Sequence, residues 1–306
     1  MAINTQTSPK LLWPGQKAIW GDLFYKDPME AYSKCFDKDT SNKAFEEYTG
    51  YTGFGLAPVK AQGAALTMDT TNQGFVKRYT NVAYALGFEV TMEELEDNLY
   101  MDVVSKRIPQ LAKSMRQTVE TVSAAHYNNA STDSAPYLGA DGVGLLSAAH
   151  PNVTGGTWSN ELGTAADLSE TAIEDVVIMI NTATDDRGLQ AYLSAQRLLV
   201  HPNDEFKACR ILKSTLQNDT ANNALNALNN MQSIPGGYMC NRWFTDTDAW
   251  FIKTDCPYGM TFLWRKNAEV NQDNDFSTKN LLVSSHMRFS SGWSDARGCY
   301  GSMGSG

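Results

Sequence analysis

"GFGLAPVKAQGAALTMDTTNQGFVKRYTNVAYALGFEVTMEELEDNLY", residues 53–100, changes its period midway. Its first part is rich in glycine and small apolar residues. From Phe75 the chain alternates, with Phe75, Lys77 and Tyr79 on one side and Val76, Arg78 and Thr80 on the other, the period of a strand. "DTTNQG" at 69–74 carries the Asp, Asn and Gly chemistry of a hairpin tip. Residues 50–90 are therefore expected to form a long two-stranded ribbon. Such a ribbon is marginally stable alone in water, so it must lie on its own domain or on a neighbouring subunit.

At Thr91 the period becomes helical. Thr91 and Glu94 form a T-x-x-E capping box. Leu95, Leu99, Val103, Ile108, Leu111, Met115, Val119 and Val122 then recur at helical spacing. The pattern predicts a helix over 91–130, roughly 60 Å long at ~1.5 Å per residue, kinked or interrupted at Pro109.

Upstream, residues 1–40 are aromatic, with Trp13, Trp20, Phe24, Tyr25, Tyr32 and Phe36, and are divided by Pro9, Pro14 and Pro28. This reads as an arm that packs on something else. Residues 41–49 read as a short helix capped by Ser41. Downstream, 131–168 is a glycine-rich connection. A helix is expected over 169–184 with Ser169 as cap and Ile173, Val176, Val177 and Ile180 on one face. A strand over 192–202 leads to a helix capped by Asn203, with Asp204 and Glu205 in its first turn. The asparagine-rich stretch 217–237 reads as a surface loop or weak helix. Strands return at 243–254, at 259–267 and at 281–293, where Val283, Met287, Phe289 and Trp293 share a face opposite His286 and Arg288. Without regular βαβ alternation the fold class is α+β.

The 306 residues can bury a sizeable core, and 19% charged residues with 42% hydrophobic ones place the chain among globular proteins. No apolar run is long enough to span a bilayer, and the N-terminus lacks the pattern of a secretory signal. Synthesis and folding in a cytosol are expected. Cys35, Cys209, Cys240, Cys256 and Cys299 are odd in number and widely spaced, as for reduced thiols rather than a disulfide or zinc framework. A net charge of −9 argues against tight, sequence-independent DNA binding.

Candidate chemistry is sparse. Ser147 and His150 could form half of a triad, but Ser147 lacks the G-x-S-x-G elbow, and His150-Pro151 with Gly155 and Gly156 reads better as a turn. His201 and Glu205 suggest a metal pair, yet Pro202 keeps them off one helical face. "DTD" at 246–248 reads as an exposed turn, and His126 as a packed helical residue. Neither "GFG" at 53–55 nor "GG" at 155–156 continues as a phosphate loop. No catalytic, cofactor or metal site is expected. An arm, a protruding ribbon and an over-long helix bury poorly within one subunit and well between subunits, which points to a structural protein completed by assembly.

The order of these parts resembles the major capsid proteins of tailed bacteriophages, with the Hong Kong 97-type fold. Residues 53–100 look like that family's E-loop running into its spine helix. "DGVGLLSAAHPNVTGGTWSNEL" at 141–162 resembles a connection in Mu-like and related prophage head subunits. "QRLLVHPNDEFKACRILKS" at 196–214 looks like the strand and helix of the axial domain. "YMCNRWFTDTDAWFIKTD" at 238–255 and "MRFSSGWSDARGCYGS" at 287–302 resemble the returning strands. The resemblance implies an N-terminal arm at 1–48, an E-loop at 49–90, a peripheral domain at 91–165 with 258–306, and an axial domain at 166–257. It implies hexamers and pentamers of this chain in an icosahedral shell around double-stranded DNA, with portal, scaffold and decoration proteins as partners and no membrane. Trp13, Trp20, Lys60, Phe75, Lys77 and Tyr79 would contact neighbouring subunits. Some members crosslink through an E-loop lysine, and Lys60 and Lys77 lie in that region. The rival readings are an encapsulin-like nanocompartment shell and a Ser147/His150 hydrolase.

Overall fold

The computed structural model describes residues 13–25, 30–97, 100–217 and 224–305. Helix α1, Trp13–Tyr25, and the single turn α2, Tyr32–Cys35, precede strand β1, Asp37–Thr40. Strands β2, Phe45–Tyr51, and β3, Gln73–Thr80, pair antiparallel as a ribbon. Next come β4, Val82–Val90, the short helix α3, Met92–Glu96, and the 29-residue helix α4, Tyr100–Asn128. The short strands β5, His150–Pro151, and β6, Thr157–Trp158, pair within the connection. Helix α5, Glu170–Asn181, strand β7, Ala195–Val200, helix α6, Glu205–Lys213, the turn α7, Ala227–Asn230, and strands β8, Tyr238–Cys240, and β9, Trp250–Thr254, build the next unit. The long strands β10, Met260–Asn274, and β11, Leu281–Trp293, form a hairpin, and β12, Cys299–Ser302, closes the chain.

Two four-stranded sheets organise two cores. The first runs β1-β10-β11-β4, and α4 packs on it. Its core gathers Ile108, Met115, Val119 and Tyr127 of α4 with Val283, Met287, Phe289 and Trp293 of β11. The alternation read at 281–293 is therefore the buried face of β11. The second sheet runs β12-β9-β7-β8, and its core gathers Ile173, Val176 and Ile180 of α5 with Leu198, Val200, Trp250 and Ile252. Phe251 and Leu199, on the opposite face of the same strands, belong to the first core. The second sheet is thus a wall between the cores, apolar on both faces, as a doubly covered sheet requires. β12 lies beside β9 in this wall, so the end of the chain joins the second sheet rather than the first.

Local signals explain the helix starts. Thr91 Oγ1 accepts the Glu94 N–H at 3.3 Å, and Ser169 Oγ accepts that of Ala172 at 3.1 Å, each supplying an orphan donor of a first turn. The helical run is not continuous from 91 to 130: α3 ends at Glu96 and α4 begins at Tyr100, which makes α4 about 44 Å long. It continues through Pro109. The side chains of Trp13, Leu95 and Val103, all of Leu99, and residues 218–223 of the asparagine-rich stretch lie outside the described residues.

Two expectations are corrected. Residues 45–51 are strand, not helix, because pairing with β3 from Phe45↔Thr80 to Tyr51↔Gln73 outweighs local helix preference. Ser41 caps no helix; it is buried and its hydroxyl accepts from Asn81 Nδ2 at 3.1 Å. In the aromatic N-terminal region Trp20, Phe24, Tyr32 and Phe36 are buried, while Tyr25 is 57% exposed. Trp20 and Phe24 stack at 5.6 Å and are buried in the first core. Glu120 of α4 accepts the Tyr32 N–H at 2.9 Å and pairs with Arg116 at 3.1 Å.

Candidate assembly surface

The ribbon leaves the body at one joint. Asn81, between β3 and β4, donates its N–H to Ala44 O, its Nδ2 to Ser41 Oγ and Lys43 O, and accepts from Ser290 Oγ. A fully satisfied buried amide fixes the exit angle of both strands. Beside it Tyr79 turns inward: its hydroxyl meets Ser294 Oγ at 2.7 Å, and Tyr48 packs edge-on at 5.4 Å. Gly292 makes room, since a Cβ there would stand 3.1 Å from the Tyr79 ring.

The turn expected at 69–74 is not the tip. The strands end at Tyr51↔Gln73, and residues 52–72 form the tip as a broad loop. Its neck is closed by Thr52 N–H to Asn72 O at 3.0 Å and Asn72 N–H to Thr52 Oγ1 at 2.8 Å. Beyond the neck the loop is apolar and open to solvent: Phe54, Leu56, Val59, Leu66 and Met68 are 63% to 101% exposed. Five large apolar side chains this exposed on one loop call for cover.

One ion pair ties the loop to the body. Arg187 reaches both oxygens of Asp69 at 2.8 and 3.0 Å and donates to Thr70 O at 3.0 Å. Asp69 also accepts the Gly55 N–H at 2.8 Å, and these donors hold its carboxyl below the usual range. Below the ribbon lies a cleft of about 620 Å³, lined by Tyr48, Phe75, Trp158, Tyr258, Asp295 and Arg297 among others.

The six expected contact residues divide. Lys60 lies exposed on the loop, and Phe75 is 36% exposed on the ribbon. Trp20 and Tyr79, each 2% exposed, are buried in their own subunit. Lys77 is half-buried: its ammonium donates to Leu138 O and lies 5.7 Å from the Trp293 ring. Burial pushes its pKa down. For Trp13 only the backbone, at the start of α1, is described. Sequence reasoning missed the apolar loop residues, whose signal was apolar side chains without strand alternation. It also missed Arg187, for which the sequence offers no local signal.

The residues weighed for chemistry are held in structural roles. His150 is fully buried and stacks on Trp158 at 4.9 Å. Its Nδ1 meets Asp141 Oδ2 at 2.6 Å and its Nε2 meets Asn160 Oδ1 at 3.1 Å. Asn160 Nδ2 donates to Leu145 O and Cys299 O at 2.6 and 2.9 Å, while its Oδ1 accepts the Ser147 N–H. That network fixes the amide orientation, so Nε2 of His150 must donate. With both nitrogens engaged, none is left to activate Ser147, whose Oγ accepts from Ala149 N–H. His201 caps the following turn by accepting the Asn203 N–H at 3.2 Å, in place of the expected Asn203 cap. Asp246 accepts the Asp248 N–H at 3.0 Å in a surface turn. His126 is buried with Nε2 2.8 Å from Ser291 Oγ. Among the described residues no group of three or more His, Cys, Asp or Glu could hold a metal, and no helix is long and apolar enough to cross a membrane.

Comparison with known proteins agrees with this layout. The phage capsid protein family matches residues 75–302, from the second ribbon strand to the last strand of the wall. No curated protein matches. Among solved structures, the capsid of an empty GTA particle aligns with a TM-score of 0.55 at 12% identity, covering 90% of this chain and 89% of that one. The capsid of Myoviridae phage XM1 aligns at 0.54 and 11% identity, covering 90% and 92%. A virus-like particle from Pyrococcus furiosus aligns at 0.54 and 9% identity, covering 94% and 97%. These likenesses show the Hong Kong 97-type fold.

Proposed function

This chain belongs to the phage capsid protein family, and from that premise we propose that it assembles as hexamers and pentamers into an icosahedral shell enclosing double-stranded DNA. It is a structural subunit of a virion shell, not an enzyme. The observation that carries the assembly geometry is the loop over 52–72, whose apolar side chains have no cover among the described residues of their own subunit. A neighbouring copy supplies that cover, with Phe75 and Lys60 at the edge of the contact. Assembly takes place in the bacterial host cytoplasm, with portal, scaffold and decoration proteins as further partners. The net charge of −9 supports a container that does not grip its DNA.

The two cores support a peripheral domain built on α4 with the first sheet, and an axial domain built on α5 and α6 with the second sheet, which β12 joins. The connection at 141–162 supports a place among Mu-like and related prophage head subunits. Lys60 is the lysine open to crosslinking, because Lys77 is engaged with Leu138 and Trp293.

The test is size-exclusion chromatography with negative-stain imaging of the purified chain. Closed shells of uniform size are expected. A chain lacking residues 56–68, rejoined by a Gly-Ser link, should stay folded and form none. A full-length chain that remains monomeric at high concentration overturns the reading, and normal shells from the deletion remove the loop from it.

A further inference from the structure

The apolar loop at the ribbon tip is held by a contact that reaches across 118 residues of sequence. Its platform is rigid. Arg187 stands on a tight turn between Thr184 and Gln190, where Asp185 Oδ1 accepts the N–H groups of Arg187 and Leu189 at 2.8 and 2.9 Å, and Gly188 has φ +79°. Arg297, nearly buried and stacked 4.4 Å over Trp158, holds that turn through Thr184 O at 3.0 Å and Asp186 at 3.2 Å. The clasp itself is open to water, with the Arg187 and Asp69 side chains 24% and 39% exposed.

We propose that the Asp69–Arg187 pair is a positioning clasp, which holds the 52–72 loop in its docking posture before a neighbouring subunit arrives. Two observations decide its sense. With the clasp closed, Leu56, Val59 and Met68 remain open to solvent, so the clasp does not hide the contact surface. The carboxylate that meets Arg187 also binds Gly55 N–H, so one residue joins the two limbs of the loop to each other and to the body. Fixing a loop before it docks removes part of the ordering cost of association. This inference rests on the assembly reading above.

A double-mutant cycle tests it on the full chain, with Asp69→Asn, Arg187→Gln and both together. Two readings are taken: hydrogen exchange of residues 53–72 in the unassembled subunit, and the critical concentration for shell formation by light scattering. Each single change should speed exchange in the loop, leave β9 unaltered, and raise the critical concentration about five-fold, the weight of one well-formed exposed pair. The double variant should be no worse than either single one, and the difference from wild type should fade at about 0.5 M salt. Singles that match wild type in both readings, or effects that simply add, overturn the clasp. If the wild-type chain forms no shells, the assembly reading fails, while the exchange cycle still decides whether the pair orders the loop.

Discussion

Strand β9 and the ribbon loop both carry large apolar side chains, yet these meet opposite fates. All five residues of β9 are buried, with Trp250 and Ile252 in one core and Phe251 in the other. The loop between β2 and β3 turns five large apolar side chains into water. The difference is not hydrophobicity but cover. β9 has α5 and its core on one side and the α4 core on the other, all from its own chain. The loop is tied to its body by Arg187, but its five large apolar side chains lie open among the described residues. Large apolar side chains need cover: those of β9 find it within their own chain, and those of the loop do not find it among the described residues.

The sharpest way to break this contrast is to cut into the covered side. Phe251→Ala should destabilise the isolated subunit by about 3–5 kcal/mol, read as a lower denaturant midpoint. A loss near zero would mean that the wall does not join the two cores.

Acid and base probe the same covered region. Burial pushes His126 down to about 4, so the folded chain keeps it neutral where the unfolded chain would protonate it. Its share of stability is whole above about pH 6.5 and is lost as pH falls toward 4, on the order of 2–3 kcal/mol. His126→Gln should flatten the acid limb of stability against pH. Glu120 works in reverse. Desolvation, opposed by Arg116, pushes its carboxyl up to about 7, so the folded chain holds a proton that the unfolded one releases. Its contribution is whole below about 4.5 and is lost as pH rises through 7. Glu120→Gln should flatten that second slope. Unchanged slopes in both variants would show that neither group is dry.

The uncovered side should give the smallest effect on the subunit. Replacing Leu56, Val59 and Met68 together by serine should shift unfolding by less than about 0.5 kcal/mol while abolishing shell formation. A large loss of subunit stability would mean that the loop is covered after all.

The contrast also explains what could be read in advance. Val283, Met287, Phe289 and Trp293 announced a buried face because a strand's period is local. Ser169 and Thr91 announced helix starts for the same reason, since a cap needs only the next three residues. The strand at 45–51 stayed hidden because its reason for existing is 73–80, across the loop. The candidate surface was half legible. Phe75 and Lys60 are exposed on the ribbon and its loop, as a contact residue must be. Tyr79 and Trp20, which the resemblance suggested as contacts to a neighbour, have partners far away in their own sequence, Ser294 and the α4 core. Asp69 read as a turn residue, and nothing near it points to Arg187. Asn160, which ties 145, 147, 150 and 299 together, is one asparagine among many until those neighbours are in place.

The joint at Asn81 has a mechanical consequence. With four hydrogen bonds through one buried side chain and its N–H, the ribbon is a stiff lever rather than a slack strap. Eight residues of β3 make an arm of about 25 Å. A tilt of about 10° at the pivot would swing the far end by about 4 Å, roughly the spacing of adjacent strands. An imprecise hinge there would turn a sub-ångström error in the body into a misfit at the tip, and the curvature of a closed surface is the sum of many such angles.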